Sequence, residues 1–281
     1  MKKRLSTIIL IAVFLVGLGL MMYPTVSDLI NKAHQTVAIN NYEKTVAQMT
    51  KTDFRQILAD ARIYNLDITS NEFPRDKKDL EGNSSYHSAM NPSGNGMMGY
   101  LKIDAIDLRL PIYHTTDETV LQSGVGHVPT TSLPVGGNGT HAVLSGHRGL
   151  PSAKLFTDLD KVQIGDYFFI YILDDILAYK VDQIKTVLPA DTQDLQIIKG
   201  EDHVTLVTCT PYGINTHRLL IRGTRVPYDS TVEEAETAKV SERKTITVEQ
   251  IAVYAGAPAL TLIFIAALVV RKKQKKKEVS E

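Results

Sequence analysis

Two uncharged apolar stretches, residues 5–22 and 251–270, bracket this chain and confine its soluble fold to what lies between them. Each approaches the ~20 residues that an apolar helix needs to cross a bilayer core. Lys2-Lys3-Arg4 precedes the first, and Arg271-Lys272-Lys273-Gln274-Lys275-Lys276-Lys277 follows the second. Gly19-Leu20-Met21-Met22-Tyr23-Pro24 offers no small-x-small cleavage site, which favours an uncleaved anchor over a removed signal peptide. With basic clusters on both outer flanks, the positive-inside rule puts both termini in the cytoplasm and the intervening chain outside the cell. The chain then reads as basic residues and an N-terminal transmembrane anchor over 1–26, and a helical region with a flexible connection over 27–96. A β-rich domain follows over 97–228, a stalk over 229–250, and a second transmembrane helix with a basic cytoplasmic tail over 251–281.

The formal net charge of zero conceals this division. Nine of the 31 Lys and Arg and two of the 31 Asp and Glu sit in the terminal clusters, leaving 22 basic against 29 acidic residues between them. An acidic exported domain is a poor match for nucleic acid. The single cysteine excludes an internal disulfide, although the compartment would permit one. A lone thiol on the oxidising side of a membrane is a liability unless it is buried or used.

From Val26 to about Ala61, apolar residues such as Leu29, Ala33, Val37, Ile57 and Leu58 recur at helical spacing. Tyr64 to Gly96 is polar and carries Pro74 and Pro92, the composition of a long surface connection. Short strands are expected over residues 99–103, 108–113, 140–145, 167–173, 177–188, 204–210 and 218–226, with Gly136-Gly137-Asn138-Gly139 and Gly165-Asp166 as turns. Residues 152–159 read as a short inserted helix, and 230–245 as a stalk or short helix. Many short strands without a βαβ rhythm point to a mostly-β chain closed, or nearly closed, into a barrel. No Lys-Ser/Thr follows the glycine cluster, so a phosphate-binding loop is not indicated.

The lone cysteine ends the run Val204-Thr205-Leu206-Val207-Thr208-Cys209. Pro211 and Gly213 turn the chain, and Arg218 opens the next strand near the level at which Cys209 left the last. A buried structural cysteine is one reading; a nucleophile facing a guanidinium is the other. A thiol nucleophile needs a proton acceptor. His34 lies in a helix, His87 in the connection, and His114, His127 and His203 in turns where solvation is the default. His217 neighbours Arg218 and would point to the opposite strand face. His141 and His147 bracket an apolar strand, and His147 ends it between Gly146 and Gly149, which makes it the preferred partner. Zinc spacing is absent, and so is the Cys-before-His order of papain-like enzymes.

Thr205-Leu206-Val207-Thr208-Cys209, Arg218 and Ser145-Gly146-His147-Arg148-Gly149 together resemble the sortases of Gram-positive bacteria. The longer runs over 146–156 and 209–218 are similar to those of class C, the pilin-polymerising sortases. The resemblance covers roughly Gly96 to Tyr228 and includes both anchors. It implies an eight-stranded β-barrel with short helices, an N-terminal helical region and two flanking transmembrane helices. It also implies a Cys209–His147–Arg218 site that cleaves an LPxTG-like sorting signal between Thr and Gly and passes the acyl group to a lysine of another pilin subunit. No cofactor or metal is implied. Pilin subunits and the cell membrane are the expected partners, and nucleic acid is not.

Class C enzymes carry an Asp-Pro-aromatic lid, whereas here the nearest match is Glu72-Phe73-Pro74 with the aromatic before the proline. Phe73 and Pro74 are therefore candidate lid residues, with an open site as the alternative. Two further readings stand beside pilin polymerisation: attachment of monomeric surface proteins to the cell-wall precursor, and a non-catalytic membrane assembly factor with Cys209 buried.

Overall fold

β-Branched and aromatic runs between turn residues favour extended chain, and seven such runs close here with one short strand between them. The computed structural model of the protein describes residues 2–69, 84–243 and 256–280. Its strands are β1 (Met97–Ile103), β2 (Leu108–Tyr113), β3 (Val125–His127), β4 (Thr140–Ser145), β5 (Tyr167–Ile172), β6 (Asp175–Val187), β7 (Asp202–Thr210) and β8 (His217–Val226). They close as β1-β2-β3-β4-β7-β8-β6-β5. The β2–β3 and β4–β7 contacts are parallel and the others antiparallel. Closure leaves no free sheet edge to template aggregation. Leu101, Ile103, Ile112, Leu144, Phe168, Ile170, Leu206 and Ile221 are completely buried within the core. Each such side chain contributes about 1.5–3 kcal/mol on burial.

Seven strands fall where the sequence predicts them, within two residues at each end. The eighth, β3, is three residues long with a central glycine, too short to show an alternating pattern. The long helix expected over Val26–Ala61 is two helices, α1 (Lys2–Ala47) and α2 (Lys51–Thr69). The break is a reciprocal cap: Thr50 N–H donates to Asp53 Oδ2 (2.7 Å), and Asp53 N–H donates to Thr50 Oγ1 (3.3 Å).

The connection expected to be mobile from Tyr64 is partly packed. Helix α2 continues to Thr69, and Asn65 exchanges two hydrogen bonds with the backbone of Leu133, at 3.1 and 2.7 Å. Helix α3 (Ser84–Ser88) carries the buried Tyr86, and Met90 is fully buried. A few apolar residues in a polar stretch were enough to dock it. Residues 152–159 form turns instead of the expected helix. Leu155 takes a positive φ of 41°, and Phe156 N–H turns back to the His147 carbonyl at 3.0 Å, so Phe156 enters the core.

A further short helix, α4 (Glu118–Leu121), lies between β2 and β3. After β8, the stretch expected to be a stalk or short helix is a helix, α5 (Ser230–Arg243), docked on the barrel. The buried Glu233 takes hydrogen bonds from Lys102 Nζ (2.6 Å) and Tyr228 OH (2.8 Å).

Residues 31–243 form one unit, and the two chain ends form another. In the latter, α1 is, from Leu5, long and apolar enough to cross a membrane. Helix α6 (Ala257–Ser280) contains a shorter apolar stretch, Pro258–Ala267, and the Phe14 and Phe264 rings stack at 4.0 Å. Residues 251–255 of the expected second span lie outside the described residues.

Candidate active site

Strands β7 and β8 form an antiparallel hairpin whose register pairs Cys209 directly with Arg218. Directly opposed residues share a sheet face, so thiol and guanidinium project from the same side. Core residues Leu206, Leu219 and Ile221 occupy the opposite side, which places Cys209 and Arg218 on the outer surface of the barrel. Cys209 is half-buried. Arg218 Nη1 donates to the carbonyls of Asn215 (3.2 Å) and His217 (3.1 Å), which anchors the guanidinium to the intervening loop.

The other neighbour of β7 is the parallel strand β4, where Ser145 pairs with Val207. The ladder extends one step further: Gly146 N–H donates to Val207 O (3.1 Å), and Thr208 Oγ1 donates to Gly146 O (2.7 Å). His147 and Cys209 each lie two residues beyond the Ser145–Val207 pair, so the same register carries both to the common end of adjacent strands. Arg148 ties those ends together. Its side chain is 9% exposed, and its guanidinium donates to Thr210 Oγ1 (3.0 Å) and pairs with Asp160.

The glycine at 146 is required by close approach. A Cβ there would sit 2.6 Å from the ring of Phe156, the buried residue that folds the loop back under His147. His147 itself is partly exposed, with Nε2 3.3 Å from Glu118 Oε2 of α4. Glu118 Oε1 accepts a hydrogen bond from Gln122 Nε2 at 3.0 Å. That bond, with the charge of His147, holds the Glu118 carboxyl below the usual range.

The three residues singled out from the sequence thus lie at the same end of β4, β7 and β8. Phe73 and Pro74 lie outside the described residues. The other histidines separate by environment. His34 and His87 are exposed, and His217 pairs with Thr210 while its Nδ1 lies 2.9 Å from Thr216 Oγ1. His114, His127 and His203, expected in solvent, are buried instead, because the loops around them pack onto the barrel. His127 sits on β3 with Nδ1 2.9 Å from Tyr86 OH and Nε2 2.8 Å from Ser132 O. His141, also buried, faces Gln196 O (2.9 Å) and Thr205 Oγ1 (2.7 Å). Burial pushes His127 down to about 3 and His141 down to about 4. Among the described residues, no three His, Cys, Asp or Glu side chains converge as a metal site.

Sequence reading missed Glu118 and the buried tie of Arg148. Arg148 stood inside the recognised run without a role of its own. Glu118 lies 29 residues before His147, and no local pattern links them.

A family model described as the sortase domain matches residues 101–226. The chain is similar to the crystal structure of sortase C1 from Streptococcus agalactiae: 47% identity, a TM-score of 0.64, covering 68% of this chain and 99% of that one. It is also similar to sortase C of Streptococcus pneumoniae, for which pilin substrate specificity is described, at 43% identity and a TM-score of 0.60, covering 68% and 97%. Among curated proteins, sortase A of Bacillus anthracis is 28% identical over 127 residues, which are 45% of this chain and 59% of that protein.

Proposed function

The chain belongs to the sortase family, and on that premise we propose that it is a membrane-anchored cysteine transpeptidase that joins pilin subunits. The observation that carries the reading is the pairing of Cys209 with Arg218 across β7 and β8, beside a strand end that bears His147. In the first step the Cys209 thiolate attacks the Thr carbonyl of an LPxTG-like signal. The carbonyl oxygen becomes an oxyanion and takes hydrogen bonds from Arg218. The Thr–Gly C–N bond breaks as imidazolium His147 gives its proton to the leaving amine. The acyl group then rests on sulfur as a thioester, which conserves the energy of the broken amide.

In the second step a lysine amine of another pilin subunit attacks the thioester. It loses its proton to His147, an isopeptide bond forms, and Cys209 leaves as thiolate. Lys2-Lys3-Arg4 and the basic C-terminal cluster support an orientation with both ends cytoplasmic and the barrel outside.

The similarity to sortase A proteins favours a second reading, in which the acceptor amine belongs to the cell-wall precursor. One experiment tests both. Full-length protein is incubated with an LPxTG peptide, and the adduct on Cys209 is measured by intact mass. The adduct is then offered either a lysine-bearing pilin domain or the amine of a cell-wall stem peptide. Pilin polymerisation requires the adduct and its faster transfer to lysine. Absence of the adduct sinks the transpeptidase reading.

A further inference from the structure

We propose that Glu118 is the positioning residue for His147, completing a Cys209–His147–Glu118 arrangement; the proposal rests on the roles given to Cys209 and His147 above. Its carboxylate is held at both oxygens: Oε1 by the Gln122 amide at 3.0 Å, and Oε2 against His147 Nε2 at 3.3 Å. The Gln122 bond, and then the charge of His147, keep the group ionised.

The element carrying Glu118 is seated by three parts of the fold. Gly126 of β3 lies so close to the α4 turn that a Cβ there would come within 2.3 Å of Thr115 O and 3.1 Å of Leu121 Cδ2. The same Gly126 pairs with Ser145 of β4, two residues before His147. From α1, the buried Gln35 donates to Ser123 O at 3.2 Å. Thr115 N–H donates to the buried Tyr86 OH at 3.0 Å. The distance between α4 and the end of β4 is therefore built into the strand pairing.

An exposed ion pair of this kind adds little to stability. Its value is chemical. A nucleophile–base pair needs a third group to orient the base. The Glu118 carboxylate, 3.3 Å from Nε2, fixes the orientation of the ring that passes a proton during acylation. The other charged or titratable groups carried at these strand ends are Cys209 of β7, Arg218 of β8, and Arg148 next to His147, itself paired with Asp160.

The test compares wild type, Glu118→Gln, Glu118→Asp and Cys209→Ala as full-length protein in detergent. Acylation by an LPxTG peptide, aminolysis by Nα-acetyl-lysine amide, and Cys209 alkylation by iodoacetamide are followed from pH 5 to 9. Glu118→Gln is expected to lower kcat for acylation about tenfold, a fraction of a full general acid–base contribution, with KM within about twofold. Its alkylation profile departs from that of the wild type, while its thermal unfolding matches wild type. Glu118→Asp recovers part of the loss. Superimposable wild-type and Glu118→Gln profiles overturn the proposal. So does a loss confined to aminolysis, which would instead assign Glu118 to the incoming amine. Should the wild type form no thioester, the reading of Cys209 fails separately, and the alkylation profiles still decide whether Glu118 acts on His147.

Discussion

At the scale of single residues, the hairpin made half of the site legible. Strand, turn and strand lie within one short run of sequence, so the pairing of Cys209 with Arg218 follows from where each strand ends. Glu118 was not legible, because it reaches His147 only through the pairing of β3 with β4. Cys209→Ala is expected to abolish thioester formation while leaving the melting temperature within a few degrees, since it removes one half-buried sulfur. Measurable adduct on that variant would exclude Cys209 as the nucleophile. Arg218→Lys is expected to fail nearly as badly as Arg218→Ala. Losing an oxyanion donor costs about a hundredfold to a thousandfold in turnover. A Lys ammonium cannot hold the Asn215 and His217 carbonyls and present a second planar donor to substrate. A Lys variant turning over at near wild-type rate would reduce Arg218 to a general positive charge.

At the scale of elements, period-two runs gave the longer strands, whereas β3 and the 152–159 turns depend on contacts remote in sequence. The loop from His147 to Phe156 is the instructive case. Residues 152–159 have a helix-compatible composition, yet the Phe156 ring takes the space above Gly146 and the chain turns back to the His147 carbonyl. Gly146→Ala puts a methyl group 2.6 Å from that ring, which is completely buried and has nowhere to retreat. Overpacking of this sort costs about 1–3 kcal/mol. Because the strain falls one residue before His147, turnover is expected to drop by more than the stability loss alone would imply. Denaturant unfolding and acylation kinetics on the same preparation separate the two, and an unchanged midpoint would show that the loop opens without cost.

At the scale of the whole molecule, four buried histidines make the fold sensitive to mild acid. Burial holds His127 down to about 3 and His141 down to about 4, and it lowers His114 and His203 as well. An unfolded histidine titrates near 6.5, so between about pH 4 and 6.5 the unfolded chain binds more protons than the native one. Stability therefore rises with pH across that window and is lost as pH falls through it. His127 and His141 are each expected to remove about 1–2 kcal/mol between pH 7 and 5. Carboxylates held low by partners, such as Asp182 with Arg222, act in the same direction only nearer their own range, around pH 4 and below. The interval from pH 7 to 5 thus isolates the histidines. Thermal unfolding of the full-length protein in detergent should fall by several degrees across it. His141→Gln should flatten that slope, because an amide can face Gln196 O and Thr205 Oγ1 without a charge to hide. A melting temperature constant from pH 7 to 5 would mean that these rings protonate inside the folded barrel, and that the interior around β3, β4 and β7 admits water.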